Sequence, residues 1–168
     1  NALVTRGEIQ RADEAYSQAL SSYRDVSPYA IAQLLFQRGV MWAEVANKAD
    51  LGQSYYLQAL ELVPGYVVAN THLAELESEV GQSERAITRL ESVLAGTDDP
   101  EPFGLLAELI GLGSEQANLL VTEATQRYDG LLEAYPLAFF DHGSEFFAGP
   151  GGDPNRALMM ALENLANR

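Results

Sequence analysis

There is no cysteine among the 168 residues. This removes disulfides, thiolate metal sites and cysteine nucleophiles, and it leaves the compartment open, since cysteine-free chains occur in oxidising and reducing surroundings alike. Basic residues are scarce, 10 against 24 acids, for a net charge of −14. Residues 1–50 carry −1, residues 51–100 carry −6, residues 101–150 carry −7, and residues 151–168 balance at zero. A phosphate backbone is bound by displacing its counterions with Lys and Arg, so this field has the wrong sign for nucleic acid and for an anionic membrane surface. No apolar run approaches the ~20 residues of a membrane-spanning helix, so direct membrane insertion is not expected. The chain opens at Asn1-Ala2 without an initiator Met, which reads as a trimmed or processed start, and no compartment is assigned.

Hydrophobic residues make up 47%, enough for a sizeable core. They recur in a repeat. Ala12, Tyr16, Ala19 and Leu20 form one copy of a small-large-apolar-apolar register, and Ala124, Tyr128, Leu131 and Leu132, followed by Pro136, form another. Between them, Gly52, Tyr56, Ala59 and Leu60, followed by Pro64, match Ala86, Leu90, Val93 and Leu94 at an offset of 34 residues. A small residue, a large one four later and apolar residues at seven and eight define one helix face. The small residue admits a neighbouring helix, and Pro ends the helix because it lacks an N–H and restricts the residue before it.

The first copy is unpaired, and a second helix precedes each later one and the last helix: Gln33–Val45 with Gly39 at a close approach, Val67–Val80 closed by Gly81, Phe103–Leu112, and Leu137–Ala148 before the Gly149-Pro150-Gly151-Gly152 break. Ser114 and Asp153 occupy N-cap positions, and Pro154 opens a last helix. Strand signals are missing, so the fold class is all-α, with about nine helices. Tyr56, Leu60, Leu73, Leu90, Leu94, Tyr128 and Leu132 are the expected core.

The 34-residue offset and the residues Leu73-Ala74, Ala86, Leu90, Val93 and Leu94, with Gly143, Phe146 and Ala157 in a later copy, resemble the tetratricopeptide repeat family. Tyr128–Arg168 and Pro28–Pro64 look like bacterial members of undefined role. The resemblance implies antiparallel helical hairpins stacked into a right-handed superhelix, a single array with units at 1–28, 29–64, 65–100, 101–136 and 137–168. It implies no enzymatic activity and no cofactor, and it implies that a protein segment binds in the concave groove.

Carried over by register, the groove positions are Phe36, Gln37 and Glu44, then Thr71, His72, Glu75 and Glu79, then Phe140, Asp141 and Phe147. An acidic groove with exposed Phe suits a basic or amphipathic protein or peptide segment. A self-association module, a homodimer through the terminal helices, and a small-molecule or peptide binder are the alternatives.

Other constellations carry less. His72 and Glu75 stand three apart on one helix face, a spacing that can serve a metal, but a site needs three or four ligands, so no metal site is assigned. Asp141-His142-Gly143-Ser144 holds the residue types of a hydrolase triad, but neighbours on one helix point apart, so no catalytic residue is assigned. Asp98-Asp99-Pro100-Glu101-Pro102 lacks the alternating ligands of a calcium loop and reads as a rigid linker. Gly149–Gly152 has neither a preceding strand nor a following Gly-Lys-Ser/Thr and reads as a turn.

Overall fold

The computed structural model describes residues 2–167; Asn1 and Arg168, the outer ends of the first and last expected units, lie outside the described residues. Among the described residues there are ten α-helices and no strand. The chain divides into two compact units, Asn1–Gly81 and Gln82–Arg168.

The first unit holds α1 (Ala2–Thr5), α2 (Ile9–Ser22), α3 (Pro28–Val40), α4 (Ala49–Leu62) and α5 (Val67–Glu79), each packed on its neighbour in sequence. A π-helical turn, Met41–Val45, continues α3. The second unit holds α6 (Ser83–Leu94), α7 (Glu101–Leu109), α8 (Glu115–Ala134), α9 (Pro136–Ala148) and α10 (Pro154–Ala166), again packed in sequence, with α9 also reaching α7.

The helix limits follow local chemistry. Pro28, Pro136 and Pro154 stand in the first turns of α3, α9 and α10, where a missing N–H costs nothing. Pro136 also ends α8, because the residue before it, Tyr135, is forced to φ −142° and ψ 57°. Ser114 and Asp153 accept the N–H groups of Ala117 and Arg156 at 3.1 and 3.0 Å, as N-caps do. Gly81, just past α5, takes φ +78°. The Asp98–Pro102 linker is ordered by its own bonds: Thr97 Oγ1 accepts from Asp99 N at 2.9 Å, and Asp99 Oδ1 accepts from Glu101 N at 3.0 Å, at the start of α7.

Each unit builds its core at the repeat register. In the first, Ala32, Leu35, Phe36, Tyr56, Ala59, Val63, Ala69 and Leu73 form one cluster. A smaller cluster of Ala12, Tyr16 and Met41 joins α2 to the π turn. In the second unit Phe103, Ala124, Tyr128, Phe146, Phe147, Ala157 and Met160 pack together. Of the expected core, Tyr56, Leu73, Leu90 and Tyr128 are buried. Leu60, Leu94 and Leu132 are only half-buried and line the cluster edges. The eighth position of the register sits where the helix surface turns towards solvent, so it packs on one side only.

Candidate functional site

The first unit gathers four of the residues named from the sequence. Glu44 sits in the π turn, where the backbone runs from Met41 O to Ala46 N at 3.0 Å, one residue wider than an α-turn. His72 and Glu75 lie three apart on α5. His72 Nδ1 stands 3.0 Å from Glu44 Oε1 and 3.5 Å from Glu75 Oε2. Ionised carboxylates only accept, so Nδ1 is the donor here. The Tyr56 hydroxyl points at the same Glu44 oxygen, at 3.5 Å. Burial pushes the Tyr56 phenol well above its ordinary range, and Glu44 and Glu75 add to this.

The floor of this site is aromatic. The Phe36 ring lies 5.7 Å from Tyr56, 5.8 Å from Tyr66 and 5.1 Å from His72, centroid to centroid. Packing is tight beneath it: Gly39 on α3 faces the Tyr56 ring, and a methyl group there would lie 2.4 Å from Tyr56 Cε1. The Glu44 and Glu75 side chains keep 49% and 41% of their surface in water, against 16% for His72, so the rim is acidic and reachable while the floor is closed.

Three expected groove residues are not on the surface. Phe36 and Phe147 are buried, and so is Thr71, whose Oγ1 donates to Val67 O at 3.1 Å within its own helix. Phe36 packs on Tyr56 of α4 and Phe147 lies under Arg156 of α10, so the expectation of exposed Phe rings there is corrected: Phe36 and Phe147 are core. Gln37 and Glu79 are exposed.

Phe140, Asp141 and Phe147 belong to α9 in the second unit. Phe140 is half-buried against the core, and Phe147 lies under the Arg156 guanidinium at 3.8 Å. Asp141 Oδ1 accepts from Asn164 Nδ2 at 2.9 Å, and Ser144 Oγ donates to the Asp141 carbonyl at 2.7 Å. His142 instead faces Glu101 of α7, Nδ1 to Oε1 3.6 Å. The acid, imidazole and hydroxyl of this stretch thus turn to different partners. The Gly149–Gly152 segment is a turn closed by Gly151 N to Phe146 O and Asp153 N to Phe147 O, each 2.8 Å.

Glu101, by hydrogen bonding and by charge, raises the His142 pKa to about 9; Glu145 and Asp141 assist and burial opposes. A raised pKa stabilises the fold fully below the unfolded value of 6.5, and that stability disappears as pH rises through about 9. At 3.6 Å, with half of the imidazole side chain in water, the pair acts as a screened ion pair worth about 0.2–1 kcal/mol. His142→Gln should therefore flatten the decline in unfolding free energy between pH 6.5 and about 9. Urea titrations across that range test this, and equal slopes for both proteins would refute it.

The sequence reading missed one arrangement. Asp13 of α2 accepts from Arg38 Nε, Arg38 Nη2 and Trp42 Nε1, all at 2.7 Å. The Arg38 fork is the main force holding the Asp13 carboxyl below its ordinary value, and Trp42 helps against the opposing effect of burial. This clamp ties α2 to α3 and the π turn. Its only sequence signal is three polar-capable residues on facing helices, 25 and 29 positions apart.

No protein-family model matches the chain. Over 80 residues it is 34% identical to the uncharacterized protein ycf37 of Pyropia yezoensis; the match covers 45% of this chain and 44% of that protein. The chain therefore spans less than half the length of this curated relative. Among solved structures, BtubC (BKLC) from P. vanneervenii superposes with a TM-score of 0.64 at 15% identity, over 98% of this chain and 74% of its own. The fold is a tetratricopeptide-like helical repeat. MamA (41-end) from Desulfovibrio magneticus RS-1 aligns over 96% of this chain and 91% of its own, at 15% identity and a TM-score of 0.43. Among the described residues no helix is long and apolar enough to cross a membrane, and no group of three or more His, Asp or Glu side chains is placed to hold a metal ion.

Proposed function

We propose that the chain is a non-catalytic scaffold that binds a basic or amphipathic protein segment, and that the acidic rim formed by Glu44 and Glu75 in the first unit receives it. The helical-repeat fold supports the general reading. The convergence of two half-exposed carboxylates on His72, above a closed ring floor of Phe36, Tyr56 and Tyr66, carries the particular one. Glu79 stands one turn beyond Glu75 on α5 and extends the negative edge, and Gln37 adds a polar contact on α3.

Carboxylates at a rim act mainly on encounter and selection of partners. They draw in a cation and reject an acidic competitor, and salt weakens both effects because exposed charges are screened within about 8 Å at physiological ionic strength. A short helical peptide with Leu at i, i+3, i+4 and i+7, flanked by Lys, is the probe; the same peptide with Glu for Lys is its control. The Lys peptide should bind at least about tenfold tighter at low salt, a gap of about 1.4 kcal/mol. Glu44→Lys with Glu75→Lys should abolish or invert the preference. Equal binding of both peptides, or a preference untouched by the charge reversal, would sink the proposal. Fluorescence anisotropy across a salt series reads all of this directly.

A further inference from the structure

Helix α10 buries Ala157 and Met160 against α9 but turns a second apolar face outward. Leu158, Met159, Leu162 and Leu165 are 60%, 69%, 57% and 72% exposed. Leu158, Leu162 and Leu165 follow one another at four and three positions, the spacing of a packing seam rather than of scattered surface leucines. Beside this ridge runs a shallow cleft of roughly 340 Å³ between α9 and α10, lined mainly by small groups, Ser144, Ala148, Ala157 and Ala161, with Glu145 as its one charged residue. A ridge and a small-residue groove on one surface are what an isologous two-fold contact requires, since the same patch must supply both halves.

Charge identifies what fits there. The chain carries −14, so two copies repel each other over most of their surface, yet residues 151–168 sum to zero. No charge lies between Arg156 and Glu163, and Arg156 is already held by Asp129 and stacked on Phe147. From Leu158 to Leu162 a basic segment finds no carboxylate on the ridge, Glu145 standing in the cleft beside it and Glu163 at its end, whereas an identical apolar stretch meets little repulsion.

We propose that α10 is a self-association surface on which two copies of the chain pack antiparallel, with Leu158 against the partner's Leu165 and Leu162 near the two-fold axis. The contact is one helix of 13 residues long, about 20 Å, which places it at the small end of specific interfaces and makes the dimer a micromolar one. It is independent of the acidic rim in the first unit.

Sedimentation of the 168-residue chain from about 5 to 500 µM, a span that brackets a micromolar association, is the test. The mass should rise from 18.3 kDa towards twice that value. Leu162→Glu should move the midpoint at least about tenfold higher in concentration, a shift of about 1.4 kcal/mol. Leu119→Glu, on α8 and more exposed still at 67%, should leave it in place. Circular dichroism checks that both variants keep their helices. Because the chain has no cysteine, Leu162→Cys gives a second readout that needs no disruption: it should oxidise to a disulfide-linked dimer, and Leu119→Cys should not. A chain monomeric throughout the range overturns the proposal. So does a dimer indifferent to Leu162→Glu, or equal cross-linking at positions 119 and 162. A monomer that takes up the Lys-flanked peptide on α10 also overturns it, and assigns the face to a foreign helix.

Discussion

Tyr56→Ala should cost the first unit about 3–5 kcal/mol, the range for removing a large ring from a close-packed core. Tyr56 is 1% exposed and sits where α3, α4 and α5 meet, in contact with the rings of Phe36 and His72. Gly39 approaches it so closely that nothing on α3 can swing in to fill the space without moving the helix. Tyr56→Phe separates the ring from its hydroxyl. That hydroxyl meets Glu44 at 3.5 Å, at the outer limit of a hydrogen bond, so its loss should cost no more than about 1.5 kcal/mol. Trp42 is the chain's single tryptophan and belongs to this unit, so its fluorescence in urea reports the unfolding directly. A loss below about 1 kcal/mol for Tyr56→Ala would mean the cavity collapses, and that the repeat register does not set the core.

Much of this was legible beforehand, and the reasons are local. The small-large register put Tyr56 and Tyr128 in the cores, and the caps at Ser114 and Asp153 were read from residue type, because capping and proline effects act within a turn of their cause. The π turn at Met41–Val45 was not legible: the segment carries a smooth helical pattern, and only the wider backbone bond reveals the extra residue. Nor was the Asp13 clamp, which needs three side chains from α2, α3 and the π turn placed at once. Register named Glu44, His72 and Glu75 but could not say that they meet. The same register sent Phe36, Thr71 and Phe147 to the surface, since a helical period gives the direction of a side chain and not what packs over it.

Two glycines in helices should respond to one substitution with opposite signs. Gly52 of α4 lies against Ala43 beside the π turn: a methyl group there would stand 2.4 Å from Ala43 Cβ, 3.1 Å from Ala43 Cα and 3.0 Å from Gly39 O. Two of these are backbone atoms of the facing segment, which no rotamer change can move. Gly52→Ala must push α4 away from α3 and the π turn, loosening the contact beneath Tyr56 and the acidic rim. The overpacking cost is about 1–3 kcal/mol, and it outweighs the gain of about 0.5–1 kcal/mol that Ala brings to a helix interior. Gly130 of α8 lies mid-helix with nothing within 4 Å of the same position. There only the helix term operates, so Gly130→Ala should stabilise the second unit by about 0.5–1 kcal/mol. Urea unfolding followed by circular dichroism compares the two variants, with Trp42 fluorescence added for Gly52→Ala. If Gly52→Ala stabilised as Gly130→Ala does, the close crossing of α3 and α4 would be wrong, and with it the placement of Glu44 over His72.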